Sequence, residues 1–400
     1  MKIIYFIDNF FPETCAPAVR TFENAKLLVE RGHEVTVVTC CPNFPEGAIF
    51  PGYKNKLLFK ENIEGIKVYR VWTFITKNSG TFLRALDYLS FALSSAFFAF
   101  FLKKRDYIIA SSPQFFTLFA GYFYSVIKKS RFIVEIRDLW PKSIEDLGVI
   151  TNRNLLKPFE YFESFFYRKA LKNIVVSESF INHLVKRGAK AGSIEIITNG
   201  FDEKNLNILK ERPPFFGEEL VNKRLISYVG TIGLSHPIEI IIDLARYFSS
   251  YKDVFFLIIG SGENFEKIQK KIEEENLKNI RILPRIPREQ VFFIYKNSFL
   301  MLSILKQINL FNTVIPSKIF EVAPYGKPIV YFGPRGQASK IIEENNFGYS
   351  VKNKEELQII IEKLLNNKVE FSETECIENS KKYYRSSQIT KMEEILSELN

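Results

Sequence analysis

The sequence predicts an α/β protein built from two doubly wound parallel sheets. Short apolar runs alternate with stretches of helical period along both halves of the chain, the pattern of repeated strand–helix–strand units. The chain has 400 residues, about twice an ordinary domain. Its residues are 46% hydrophobic, which suffices to fill two cores and argues against global disorder.

Each element follows from its local pattern. Lys2–Asp8 reads as a strand, and Asp8 to Arg20 as the loop after it. Arg20–Arg31 reads as a helix, with Phe22, Ala25, Leu28 and Val29 on one face and Gly32 as its stop. Further strands are expected at Glu34–Thr39, Lys67–Trp72, Tyr107–Ser111, Phe132–Ile136 and Asn173–Ser177. The second half repeats the alternation, with strands at Arg224–Val229, Val254–Ile259, Ile280–Leu283, Phe299–Ser303, Pro328–Tyr331 and Gly348–Val351. Residues 199–216 lack a long apolar run and contain Pro213-Pro214, so they read as the linker. The expected division is 1–198 for the first domain, 217–375 for the second, and a helical tail at 376–400. In such sheets ligands bind outside the carboxyl ends of the strands, beside helix N-termini.

Composition narrows the function classes. The four cysteines include one adjacent pair and no Cys-x-x-Cys spacing, so neither a disulfide framework nor a zinc site is indicated. The three histidines, His33, His183 and His236, lie far apart in sequence. No Asp-x-Asp occurs that could hold a cation on a diphosphate, so no metal and no cofactor are expected. The first residues form a strand pattern rather than a secretion signal, and a cytoplasmic location is expected. The net charge of +10 points to an anionic partner, and the absence of a recognition-module motif disfavours nucleic acid.

The segment Pro316-Ser317-Lys318-Ile319-Phe320-Glu321, followed by Gly326-Lys327-Pro328, carries the most chemistry. Lys318 and Glu321 lie three apart, on one face of a helix start. The helix start and Lys318 suit a phosphate. Glu321 can accept from two vicinal hydroxyls such as those of a ribose. The bland alternative is an ordinary αβ unit with a surface Lys–Glu pair.

This segment resembles the donor motif of the retaining GT-B glycosyltransferases of family 4. The branch it resembles builds bacterial capsule, O-antigen and exopolysaccharide. Four further segments fall in the order of that family: Arg31–Thr39, Arg137-Asp138-Leu139-Trp140-Pro141, Thr198–Asp202 and Gly230-Thr231-Ile232-Gly233. The resemblance implies two Rossmann-like domains facing a cleft, the first for the acceptor and the second for the nucleotide sugar. It also implies a last helix that crosses back to the first domain.

The site implied by the resemblance draws on both domains. Lys318 would meet the diphosphate, Glu321 the ribose, and Ser317 the donor beside them. Gly230, Thr231, Gly233 and Gly262 would bring backbone N–H groups to the donor. Arg285 and Ile286 would lie on the base. Gly336, Gln337 and Ala338 would form the following donor loop, where Gln337 replaces the usual acid. The family's acid pair is incomplete, because Thr313 occupies the first position of the pair that Glu321 completes. In the first domain Ala16, Pro17, Arg20 and Arg137 would form the acceptor and phosphate loop. Pro17 donates no N–H there. Asp138 would be the catalytic partner of Lys318, either hydrogen-bonding the sugar or stabilising charge at its anomeric carbon. The bland alternative is an Arg137–Asp138 pair that stiffens the loop. His236 reads as a loop residue.

One stretch stands outside this scheme. Tyr88–Leu102 is 15 residues without a charge, followed by Lys103-Lys104-Arg105. That is short of the ~18–20 residues of a membrane span. It suits either an interfacial helix with a basic end or a helix buried on the sheet. The expected function is sugar transfer from a nucleotide diphosphate sugar, with uridine as the base, to a lipid-linked saccharide acceptor. Peripheral contact at the inner face of the cell membrane goes with such an acceptor. The alternatives are a UDP-sugar 2-epimerase of the same fold and a non-catalytic nucleotide-sugar-binding subunit. The oligomeric state is open.

Overall fold

The protein is described from a computed structural model over residues 1–76, 81–112, 114–146, 152–207 and 212–399. It divides into two compact units, Met1–Asn199 with Arg385–Asn400, and Gly200–Tyr384.

Among the described residues the first unit contains one eight-stranded sheet. Its strands are β1 (Lys2–Phe6), β2 (Glu34–Cys40), β3 (Leu58–Ile63), β4 (Ile66–Val71), β5 (Tyr107–Ser111), β6 (Arg131–Ile136), β7 (Lys172–Val175) and β8 (Ile194–Ile196). Their order is β3-β4-β2-β1-β5-β6-β7-β8. Neighbours are parallel except β3 and β4. The central strands β1 and β5 are apolar and buried on both faces, as covered parallel strands must be. Two strands escape the pattern reading. β3 carries Lys60, Glu61 and Asn62 at its centre and lies at the sheet edge, where charge blocks further pairing. It turns into β4 through Glu64 and Gly65, both at positive φ, the geometry of a tight hairpin. β8 is a three-residue strand at the opposite edge.

Helix α1 spans Ala16–Glu30 and starts four residues before the expected Arg20. Pro17 lies in its first turn, where a missing N–H costs no hydrogen bond and the fixed φ is already helical. Two further helices matter below, α2 (Thr81–Ala99) and α3 (Thr117–Lys128), which pack on each other.

The tail differs from the single helix expected at 376–400. Glu373–Ser380 is helical and belongs to the second unit, where Cys376 is fully buried. The helix that joins the first unit is Arg385–Ser397. It lies against α1, and Ile389, Met392 and Leu396 enter the same apolar cluster as Ile3, Tyr5 and Leu28. The Tyr107 hydroxyl donates to Leu396 O at 2.6 Å, and Arg385 pairs with buried Glu23 at 2.9 Å.

The second unit carries β9 (Arg224–Thr231), β10 (Val254–Ser261), β11 (Ile280–Leu283), β12 (Leu300–Ile304), β13 (Ile329–Phe332) and β14 (Gly348–Val351). They form a parallel sheet in the order β11-β10-β9-β12-β13-β14. The winding direction reverses between β9 and β12, so the carboxyl ends of these two strands form the natural ligand crevice. The expected linker is largely part of this unit. The division falls after Asn199, and Phe201 and Phe216 are buried in the second unit's core. Residues 208–211 of that stretch lie outside the described residues.

A buried ion pair fixes the centre of the first unit. Arg20 Nη2 lies 3.0 Å from Glu135 on β6, and both side chains are 2% exposed. Arg20 also donates to Ile197 O at 3.0 Å, to Thr198 O, and to Asn199 Oδ1 at 3.3 Å. One guanidinium therefore ties α1, β6 and the end of the unit together. Replacing Arg20 by Met or Glu135 by Leu strands a buried charge, at a cost of about 3–5 kcal/mol. The double variant should lose less than the sum of the two. Urea unfolding of all three variants measures this, and additive losses would show that the pair is not coupled.

Candidate active site

The second unit gathers its candidates at the carboxyl end of β9. Gly230, expected in a loop, is the seventh residue of β9 and has φ +152°. A Cβ built there would fall 1.9 Å from Lys318 Nζ, so only glycine leaves room for the lysine. Gly262 answers a different need, because a Cβ there would meet the backbone of Ile232 at 2.5 Å. Exposed Thr231 ends β9, and Gly233 lies in the turn that follows.

Lys318 opens the short helix Lys318–Val322. Its ammonium sits 4.3 Å from the centre of the Tyr228 ring, a cation–π contact. Among the described residues no carboxylate forms an ion pair with it. Burial lowers its pKa to about 8, against the opposing pull of Glu321. His236 lies in the field of this cation, and burial together with the Lys318 charge lowers its pKa to about 4. The imidazole is therefore neutral at neutral pH, and its Nδ1 is buried without a partner. The sequence marks His236 only as part of a loop; its coupling to Lys318 emerges once the β9 turn and the Lys318 helix are brought together.

Glu321 is held apart from the lysine. The Tyr295 hydroxyl donates to its Oε2 at 3.1 Å. Tyr295 is buried, and burial with the nearby Glu321 charge raises its pKa well above the ordinary value, so it remains a donor. Nothing in the sequence links Tyr228 or Tyr295 to Lys318 and Glu321. Ser317 precedes the helix and its side chain does not cap it.

The remaining donor-loop candidates separate. Gly336 precedes the helix Gln337–Glu344, and a Cβ there would fall 2.1 Å from Asn312 O. Its close approach joins that helix to the turn Asn309–Thr313, which contains Thr313. Gln337 is partly exposed. The Ala338 side chain is in the core, which leaves only its backbone to face a ligand. Arg285 is exposed beyond β11, whereas Ile286 packs against the core.

The first unit corrects two expectations. Arg20 is enclosed by its pair with Glu135 and three backbone or side-chain oxygens, so it is a structural arginine rather than an anion contact. Arg137 does not neutralise Asp138. It donates to Pro17 O at 3.2 Å and Ala16 O at 3.1 Å, closing the start of α1 onto the end of β6. Ala16 and Pro17 thus present carbonyls to Arg137. Burial lowers the Arg137 pKa to about 10, with Glu135 opposing and Arg20 adding to the fall. Burial alone would raise the Glu135 carboxyl, but Arg20 and Arg137 outweigh it and hold it below the ordinary value. Asp138 is raised by burial, while hydrogen bonds from Ser143 and the Leu139 N–H pull the other way. His33 and His183 are each bonded to a glutamate at 2.7 Å. Among the described residues no group of three or more His, Cys, Asp or Glu side chains is arranged to hold a metal ion.

The two units, each with its parallel sheet, define a class, and the sequence comparisons agree with it. Residues 16–200 match the family model described as "Glycosyl transferase 4-like domain", and residues 211–383 match "Glycosyl transferases group 1". The chain belongs to the family 4 GT-B glycosyltransferases. It is 24% identical over 341 residues to WcaI of Escherichia coli (strain K12), named as a glycosyl transferase of colanic acid biosynthesis, covering 82% of each chain. Its fold is similar to that of Anabaena Alr3699/HepE, solved with UDP and glucose, at a TM-score of 0.67 and 16% identity over 100% of both chains. The apo lipopolysaccharide outer core galactosyltransferase WaaB is similar at a TM-score of 0.64 and 13% identity, again over 100% of both.

The Lys318 environment makes a prediction with a definite sign. Its folded pKa, about 8, lies below the ordinary 10.5. Between those values the unfolded chain holds a proton that the native protein has lost, so native stability rises with pH. Lys318→Met should therefore melt higher than the wild type at pH 7, and the gap should shrink above about pH 8. Melting curves at pH 7 and pH 10 test this, and a less stable variant at pH 7 would show that the ammonium is not a native-state cost.

Proposed function

We propose that this glycosyltransferase moves a sugar, with retention of configuration, from a uridine diphosphate sugar to a lipid-linked saccharide in bacterial surface polysaccharide synthesis. The observation that carries the reading is Lys318, a partly buried cation without a counterion among the described residues, at the carboxyl end of β9 and one helical turn from Glu321. An enclosed ammonium without a carboxylate is suited to an anionic ligand. A diphosphate leaving group gains negative charge as the glycosidic bond breaks, and a fixed cation stabilises that change. No metal is assigned to the reaction; Lys318 and backbone donors around Gly230 and Gly336 hold the phosphates.

Glu321, steadied by Tyr295, accepts from the ribose hydroxyls. The neutral His236 stands beside Lys318 without adding a competing charge. Asp138, in the first unit, meets the sugar. The uridine and the polysaccharide setting are supported by the UDP of HepE and by the names of WcaI and WaaB.

Glu321→Ala should weaken UDP binding by about 2–4 kcal/mol, because a charge-assisted pair of bonds is lost. A 2′-deoxy nucleotide should lose a smaller share of that energy on the same substitution. Calorimetry reads both, and unchanged UDP affinity in the folded variant removes Glu321 from the site.

Asp138→Asn should leave UDP affinity nearly intact and lower turnover by about tenfold to a thousandfold. Mass measurement of the product from UDP-sugars and a lipid-linked acceptor extract gives the turnover and the reaction type. Transfer should survive excess EDTA. An isomerised donor would indicate an epimerase, and binding without any product would indicate a non-catalytic subunit.

A further inference from the structure

Helix α2 carries its large apolar side chains outward. Leu83, Leu86, Leu89, Leu93 and Phe97 recur at spacings of three and four, one helical face, and all are exposed. The opposite face buries Asp87, Phe91, Ser95 and Ala99. A helix that only covers a sheet has the reverse arrangement, apolar inward and polar outward. Phe100 and Phe101 extend the exposed face beyond the helix end, at 57% and 71% exposure.

Between α2 and α3 lies an apolar groove of about 560 Å³, lined by Leu89, Leu93, Phe119, Phe123 and Val126 among others. Its end carries a basic rim. Lys103, Lys104 and Lys129 are exposed there, and Lys128 Nζ donates to Phe100 O at 2.8 Å, joining the ends of the two helices.

We propose that this face docks on an anionic phospholipid bilayer. Phe97, Phe100 and Phe101 enter the acyl boundary, the groove takes one lipid chain, and Lys103, Lys104 and Lys129 contact headgroup phosphates. The charge pattern selects this occupant over a second copy of the chain. The apolar groove that a second copy would present is lined by no carboxylate to pair with these lysines, whereas an anionic surface complements them. Among the described residues no helix is long and apolar enough to cross a membrane, so the contact is a seat on the surface. The proposal does not rest on the donor site, and vesicle binding would stand even if sugar transfer failed.

The test is co-sedimentation of the full chain with vesicles of phosphatidylglycerol and phosphatidylcholine, against vesicles of phosphatidylcholine alone. The wild type should bind the anionic vesicles at least about tenfold more tightly, and salt should weaken the binding. Leu93→Ser/Phe97→Ser/Phe101→Ser and Lys103→Glu/Lys104→Glu should each lose at least about tenfold of it. Both variants should keep wild-type melting and UDP binding, since every altered side chain is exposed and lies outside the donor site. Failure to bind, equal binding to both vesicle types, or unchanged binding by either variant overturns the proposal. So does a wild-type dimer in light scattering that the apolar substitutions dissociate, without vesicle binding, since the face would then join two copies.

Discussion

The second unit is organised around a cation, Lys318, that has no ion-pair partner among the described residues. Lys318 is packed between the Tyr228 ring and the bare backbone of Gly230, and each neighbour makes sense only in its presence. A side chain at residue 230 would displace it. A charged His236 would repel it, and that imidazole is kept neutral. The nearest family-motif acid, Glu321, is engaged by Tyr295 rather than by the lysine. Burying an unpaired charge opposes folding, and a protein that retains one has a use for it. The parallel sheet supplies the position, since the winding reverses between β9 and β12 and leaves their carboxyl ends open to a ligand.

The first unit solves the opposite electrostatic problem. Its enclosed arginines are answered: Arg20 by Glu135, Arg137 by Glu135 and the carbonyls of Ala16 and Pro17, Arg385 by Glu23. These contacts hold the start of α1 against β6, and with it the backbone that leads to Asp138. The pairing of Arg385 with Glu23 also anchors the helix that returns from the second unit's end of the chain.

Much of this was legible in the sequence where a pattern was local. β5, buried along its whole length, is a continuous apolar run whose ends match the structure, and so do the ends of β11, a short edge strand. The spacing of Lys318 and Glu321 pointed to one helical start, and the structure places them there. Local pattern fails at edges, where the polar centre of β3 interrupts its apolar residues, and at α1, where a small-residue loop is the first helical turn. It fails also for Arg20, because an arginine beside a turn reads as exposed until Glu135, 115 residues away, is known to face it. The outward apolar face of α2 was undecidable from sequence for the same reason: both faces of that helix carry apolar side chains, and only packing shows which is covered.

The most direct measurement is the proton balance of UDP binding. Near pH 8 about half of the Lys318 side chains are neutral in the free protein. A diphosphate that binds through the ammonium must restore the proton. Calorimetry at pH 8 in buffers of different ionisation enthalpy should therefore show proton uptake on UDP binding, and Lys318→Met should abolish it. UDP binding with no proton uptake near pH 8, or with the same uptake in the variant, would contradict the assignment of Lys318 to the donor phosphates.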